Sequence, residues 1–531
     1  MDTSRPDAGD GAPAVAGRAS LTGRAASGLS WSALSTVALV VANLAFTATV
    51  SRLLGPTAFG LMAIANLVVL FGQYFARMGL ASALVQKPDL SDEEIRAAST
   101  AGAVVGLVCL GLVWLLAPAV AGLFHAPEVV PVVRGLGVSF VFVGWSMTGL
   151  GLLRRELRFR ALSMITVGSY VAGYLVIGVG LALLGAGVWS LVAATVSATM
   201  VQAVWQFAVL RHPVRPVLHW PPYRTVCSYG TRLSLAHVLD YIGSNLDTFT
   251  VARIASTAML GQYSRAYYIV VQPLGYYLSA ALSNVAFATF SRVQQDAARL
   301  RRGYFSVTSL AAVLVVPMCA GMAVAAPDLV AVVLGPQWGQ AAVLVPWFAL
   351  AGGCHALSQL SQSLVEARAD LNRSVVVQVG YLLVLAALIL VALPFTAHGL
   401  WVIAAAVAAA ELLRYLGYLG LVRRVLGLSA SWMWRAHVPA LFAGGGVALA
   451  VAAVGWWLAG SPSIVLLVSE IVAAALALAL SVRVCPVPSI RADLRYRLAA
   501  AELLGPPRSR RRRAAALVLG RPDEAVGEER P

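Results

Sequence analysis

Charge is scarce in this sequence. Asp, Glu, Lys and Arg together make up 12% of 531 residues, against 59% hydrophobic residues. A soluble chain of this length needs far more polar surface to cover its cores, so the solvent around most of it must be lipid. Lysine is nearly absent, Lys87 being the only one, and it stands in Gln86-Lys87-Pro88. A phosphate-binding GxxxxGK[ST] loop cannot be built from that residue, which excludes ATP as a fuel used by this chain. Cysteine is sparse too. Cys109, Cys227, Cys319, Cys354 and Cys485 are scattered in or beside apolar segments, with no CxxC or Cys/His ligand spacing, so they read as small packing residues. HExxH and GxSxG motifs are missing, as is any paired-carboxylate loop. Long polar loops that could carry glycosyl-transfer or polymerising chemistry are missing as well. No catalytic residue, cofactor or metal site is expected.

Apolar segments are what is present. About fourteen stretches between residues 30 and 482 are long enough to cross some 30 Å of hydrocarbon at 1.5 Å per residue. They include 30–52, 58–80, 97–124, 228–254, 258–287, 303–334, 399–421 and 462–482. The fold class expected is all-α and polytopic. The net charge of +16 would point to nucleic acid in a soluble chain, but here the arginines sit in loops and tails. One set of loops carries them: Arg154, Arg155, Arg158 and Arg160; Arg211, Arg215 and Arg224; Arg292, Arg299, Arg301 and Arg302; Arg368 and Arg373; Arg423, Arg424 and Arg435. The alternate loops, such as 185–187, 334–339, 394–399 and 458–462, are short and almost uncharged. Strict alternation is what the positive-inside rule predicts when no span has been missed, and it places both termini in the cytoplasm. Residues 1–28, rich in Gly, Ala, Pro and Asp, read as a disordered tail. Ser91-Asp92-Glu93-Glu94 has the form of a capping box before the third span. Beyond residue 482, Ser489–Leu504 reads as an interfacial helix, and the run Arg508–Arg513 suits anionic lipid.

One turn is repeated. Thr47, Val50, Arg52, Gly60 and Ala65 fall, at one constant offset, on Thr248, Val251, Arg253, Gly261 and Ala266. Ionisable residues inside spans are costly and mark cavities or partners, and the second copy is where they gather. The seventh span carries His237, Asp240, Asp247 and Arg253; the eighth adds Arg265 with Tyr263, Tyr267 and Tyr268. The first-copy positions aligned with Asp240, Asp247 and Arg265 are Leu39, Phe46 and Ile64, all apolar. The twelfth span has Glu411 and Arg414 at i, i+3, a spacing that also allows a purely structural ion pair. Glu470 lies in the last span. Arg52 and Arg253, at span ends, can snorkel to the interface.

The stretch Arg52-Leu-Leu-Gly-Pro-Thr-Ala-Phe-Gly60, continuing to Phe71-Gly-Gln-Tyr-Phe-Ala-Arg-Met-Gly-Leu-Ala-Ser-Ala-Leu-Val85-Gln86, resembles the start of bacterial polysaccharide transporters. These are the O-antigen and exopolysaccharide flippases of the multidrug/oligosaccharidyl-lipid/polysaccharide superfamily. Leu153–Ala161, Leu184–Val192 and Leu334–Gly339 are similar to later parts of that family, in the same order. The resemblance covers roughly residues 25–480. It implies two pseudo-symmetric six-helix lobes around a central cavity plus a C-terminal helix pair. Fitted to this chain, that gives a cytoplasmic tail at 1–28, a first lobe at 29–212, a linker at 213–227, a second lobe at 228–425, the extra pair at 426–482 and a basic tail at 483–531.

The resemblance also implies a substrate, an undecaprenyl-diphosphate-linked oligosaccharide carried from the cytoplasmic to the outer leaflet, and as associated machinery a polysaccharide polymerase and chain-length regulator. In that setting Arg52, Arg253 and Arg265 are candidates for headgroup contact, since guanidinium pairs bidentately with phosphate. Tyr263 and Tyr267 offer stacking faces and hydroxyls for sugar. Asp240, Asp247 and Glu411 are candidates for cation coupling or gating. A multidrug–cation antiporter of the same superfamily, a membrane polysaccharide polymerase or glycosyltransferase, and a structural scaffold are the alternatives.

Overall fold

A computed structural model of the chain describes residues 13–77, 81, 84–85, 87, 89–213, 215–217, 241–279, 282–283, 286, 290, 295–368 and 371–484. Among these residues every regular element is a helix, and no strand occurs. Helix α1 spans Pro13–Leu53 and α2 Pro56–Arg77; α3 is Asp92–Phe124, α4 Val129–Gly137 and α5 Ser139–Arg155. Helix α6, Phe159–Tyr170, runs through a π-helical segment, Val171–Gly178, into α7, Val179–Leu183, and α8 is Val188–Leu210. Residues 241–254 are helical. Helix α9, Thr257–Val271, continues as a second π segment, Gln272–Leu278. The series closes with α10 Ala297–Val324, α11 Ala326–Val333, α12 Gly339–Ala367, α13 Leu371–Ala392, α14 Trp401–Leu426, α15 Ala430–Trp457 and α16 Ser463–Val484.

Twelve segments among the described residues are long and apolar enough to cross a membrane. They correspond one for one with the first six and last six of the spans expected from sequence. The expected seventh and eighth spans, 228–254 and 258–287, fall partly outside the described residues. So do His237, Asp240, most of the 213–227 linker, Cys227, Cys485, and the tail from 485 with its arginine run.

Two expectations change. Helix α1 begins at Pro13, so much of the segment read as a disordered tail is helical. The reason is local: Ala14, Ala16, Arg18, Ala19, Arg24, Ala25 and Ala26 are strong helix formers, and Pro13 suits the first helical position. The stretch 303–334 is not one helix. It breaks at Ala325, and Pro327, near the start of α11, lacks the N–H needed to continue α10.

The capping box is present. Ser91 Oγ accepts from the Glu94 N–H, and Glu94 Oε2 accepts from the Ser91 N–H, a device that contributes about 1 kcal/mol to a helix start. Lys87 forms an ion pair with Glu94 Oε1, so the only lysine of the chain serves this helix terminus. Asp296 caps α10, accepting from the backbone N–H groups of Ala298 and Arg299 at 3.0 Å each. The Arg299 N–H is the main cause that holds its carboxyl below the ordinary aspartate range.

The described chain forms two compact units. One comprises residues 1–245 with 252–258, the other 246–251 with 259–531. In the first, α3 and α5 approach closely: a Cβ on Gly144 would collide with the Gly102 carbonyl, and one on Gly106 would meet the Phe140 carbonyl at 2.6 Å. Small residues permit such backbone contact where lipid supplies no hydrophobic drive. The same unit holds a contact between the two copies of the repeated turn, since a Cβ on Gly60 would run into the Thr257 carbonyl. Burial also matches across the copies. Val50 and Val251, and Ala65 and Ala266, are fully buried, while Arg52 and Arg253 are both exposed. In the second unit α10 packs on α12 and α15, α12 on α14, and α15 on α16. The core there includes Phe290, Tyr304, Leu360, Tyr415 and Val422.

Candidate functional site

The second unit contains buried polar residues in the helical stretch 246–251 and on helices α9, α12, α13 and α14. Glu411 and Arg414, three residues apart on α14, form an ion pair at 2.8 Å, both more than nine-tenths buried. From α12, His355 Nδ1 lies 2.6 Å from Arg414 Nη2 and 3.4 Å from Glu411 Oε1. A guanidinium has only donors, so this nitrogen of His355 is the acceptor for Arg414. From α13, the Tyr381 hydroxyl donates to Glu411 Oε1 at 3.2 Å, and the Arg414 guanidinium stands over the Tyr381 ring, 4.7 Å from its centroid. One arginine thus holds a carboxylate, an imidazole and a ring face together from three helices.

A second pair lies in the same unit, between α9 and helical residues 246–251. Tyr263, on α9 and wholly buried, donates to Asp247 Oδ2 at 2.8 Å. The Thr248 hydroxyl lies 3.4 Å from the other oxygen. Phe348 of α12 receives Tyr263 and Tyr267 edge-on, with ring centroids 5.0 and 5.4 Å away. Arg265 stacks on Tyr268 with its Cζ 4.5 Å from the ring centroid. Buried charges of this kind are stable only when paired, and Glu411 and Arg414 pair with each other. Among the described residues no group of three or more metal-ligating side chains occurs.

Of the residues singled out in the sequence, Asp247 and Tyr263 bond directly, Tyr267 joins them through Phe348, and Glu411 bonds to Tyr381 and pairs with Arg414. Arg52 is exposed in the last turn of α1. Arg253 is exposed and donates to His125 Nδ1 at 2.8 Å. Neither takes part in these hydrogen bonds. Asp240 lies outside the described residues. Sequence reasoning missed His355 and Tyr381. A histidine in the apolar run 340–365 is the signal that could have found the first; tyrosine is too common in spans for the second to stand out.

The fold is that of a multi-pass, all-helical membrane protein with ionisable groups lodged inside its spans. The chain belongs to the polysaccharide biosynthesis protein family, whose profile matches residues 49–343, more than half of its length. It is similar to the lipopolysaccharide biosynthesis protein WzxC of Escherichia coli strain K12, 23% identical over 361 residues that cover 67% of this chain and 72% of the relative. The teichuronic acid biosynthesis protein TuaB of Bacillus subtilis strain 168 is 24% identical over 66% of this chain and 73% of its own. The succinoglycan biosynthesis transport protein ExoT of Rhizobium meliloti strain 1021 is 28% identical over 61% of this chain and 65% of its own. Among solved structures, the lipid II flippase MurJ in an inward closed conformation matches with a TM-score of 0.67 and 11% identity, covering 85% of this chain and 98% of MurJ. An inward-facing multidrug resistance MATE family transporter matches at 0.57 with 15% identity, over 73% of this chain and 95% of that one. At such identities the two likenesses establish the fold alone.

Proposed function

We propose that this protein is a flippase that carries a lipid-linked oligosaccharide from the cytoplasmic to the outer leaflet of a bacterial cytoplasmic membrane, for surface polysaccharide biosynthesis. The observation that carries the reading is the set of polar groups Asp247, Tyr263, Tyr381, Glu411, Arg414 and His355 inside the spans of a chain of the polysaccharide biosynthesis family. A diphosphate-sugar headgroup cannot cross hydrocarbon unaided and needs a polar path that opens alternately to each side. Two lobes, expected at 29–212 and 228–425 and joined by a linker at 213–227, with both termini cytoplasmic, are the parts this reading assigns to that task. Arg52, Arg253 and Arg265 serve the headgroup, Tyr263 and Tyr267 the sugars, and Asp240, Asp247 and Glu411 coupling or gating by a cation. Anionic lipid is the partner of the arginine run near the C-terminus, and a polysaccharide polymerase and chain-length regulator act on the product. The chemistry is translocation, with no bond made or broken by this chain.

The test is a deletion strain. Lipid-linked repeat units accumulating on the cytoplasmic side, with surface polysaccharide lost and restored by the cloned gene, support the reading. Single units accumulating on the outer face point instead to polymerisation. The alternative reading is a multidrug–cation antiporter. It predicts altered drug accumulation with surface glycan unchanged.

A further inference from the structure

The last helix carries an acidic residue that the pairs above do not use. Glu470 of α16 is 4% exposed, and its Oε2 has no hydrogen-bond partner. Its Oε1 lies against the backbone of α15, 3.3 Å from where a Cβ on Gly455 would stand. Helix α16 packs on α10, α11 and α15. Besides Tyr304 of α10, the charged and titratable groups of these helices among the described residues are as follows. Helix α10 has Arg299, Arg301 and Arg302, all in its first two turns, and Cys319; α15 has Arg435 and His437, also in its first two turns; α16 itself has Arg483 in its last. All of these basic groups belong to the arginine-rich ends of their helices. At the opposite end, where Trp456 and Trp457 are exposed as in an interfacial aromatic belt, the facing charge is Asp328 in the first turn of α11. It is the same sign as Glu470 and within range of it.

Glu470 stands seven residues into α16, about 10 Å along the helix axis from its start. Below it the surroundings are apolar: Ala325, Val447, Val451 and Leu467 form a small core, with Leu329 and Ala474 against it. A carboxylate buried there, with no basic group at that end of α10, α11, α15 or α16 among the described residues and the like-charged Asp328 on the neighbouring α11, is held more readily as the neutral acid than as an uncompensated charge. Asp328 is half-buried in the first turn of α11, and Glu470 is buried.

We propose that Asp328 and Glu470 form a proton-binding site in which Glu470 is the protonated carboxyl and Asp328 its acceptor or like-charged neighbour. Holding the proton lets α16 pack on α11; releasing it places two like charges at that contact and weakens the hold of the C-terminal helix pair. The site stands apart from the transport reading and does not depend on it.

The test uses the full-length protein in lipid nanodiscs and dicyclohexylcarbodiimide, a lipid-soluble reagent that adds to protonated carboxyls and not to carboxylates. Peptide mass spectrometry reads the modification of Glu470. Labelling several-fold faster at about pH 6 than at about pH 8.5, and several-fold slower in Asp328→Asn at either pH, is expected. No labelling of Glu470 at any pH overturns the proposal. So does protection by sodium, magnesium or calcium ions at constant pH, which would make the ligand a metal ion. Glu470→Gln, which mimics the protonated acid, is expected to unfold at the same temperature or higher, and to lose the wild type's dependence of that temperature on pH over this range. A pH dependence undiminished in that variant would also overturn the proposal.

Discussion

The two copies of the repeated segment agree at some buried positions and diverge at others. In the first unit Phe46 is buried and meets Tyr174 edge-on at 5.0 Å; Ile64 is buried as well. The aligned residues of the second copy are Asp247 and Arg265, and Met62 aligns with Tyr263. Where one copy packs a phenyl ring, the other packs a carboxylate held by a phenol. The buried Val50 and Ala65 and the exposed Arg52 are unchanged in Val251, Ala266 and Arg253. The repeat therefore keeps part of its buried frame and exchanges the apolar Phe46 and Ile64 for Asp247 and Arg265. A buried ion pair or carboxylate adds little net stability over an apolar replacement of the same shape. Its presence in one copy only is difficult to explain by folding and easy to explain by function.

The most severe way to break the contrast is to unpair the second unit's charges. Arg414→Leu alone, or Glu411→Leu alone, is expected to cost about 3–5 kcal/mol because it leaves a buried charge uncompensated, whereas the double substitution costs far less than either. Thermal unfolding in detergent measures this, and additive losses would sink the assignment of a mutually dependent pair. Next in size is Gly60→Val, which forces a side chain into the Thr257 carbonyl; a loss of about 1–3 kcal/mol is expected from overpacking. An unchanged melting temperature would mean that the two turns do not press together.

A sharper test imports the first copy's chemistry into the second. Asp247→Leu combined with Tyr263→Met removes both partners of one hydrogen bond, so stability is expected to change by about 1 kcal/mol or less. Surface polysaccharide in a complemented deletion strain is expected to be lost. Full restoration would leave the polar pair with a structural role only. Arg52→Ala, at an exposed site, is expected to shift stability by no more than about 0.5 kcal/mol.

The smallest effect concerns pH. His212, just beyond α8, is buried against Phe207 and Ser99, and burial holds its imidazole below the ordinary histidine value of 6.5. The unfolded chain takes up the proton first. The neutral ring's contribution is therefore complete above that value and is lost as pH falls toward the folded one. Comparing wild type with His212→Gln between about pH 7.5 and about pH 5.5, the wild type should lose more stability on acidification.

How much of this was legible beforehand follows from the physics of each signal. Span positions were readable because a long apolar run has few other uses, and the S-x-x-E capping box because it is local. The break at Ala325 was missed because hydropathy is blind to a backbone turn between two apolar segments; Pro327 was the available clue. Asp247 and Glu411 stood out as charges in lipid. Their partners did not, since the meeting of Tyr263 with Asp247, or of His355 with Arg414, depends on which helix faces lie together, and no spacing along the chain encodes that.

Tyr174 sits within the π-helical segment Val171–Gly178, stacks on Tyr170 and bonds to the Thr195 hydroxyl at 3.2 Å. A π turn holds one residue more than an α turn. That surplus is slack stored inside a span: passed one position along, it rotates every side chain it crosses while the two ends of the helix stay where they are. The ring that meets Phe46 is thus mounted on a stretch of backbone able to change its aim without unwinding.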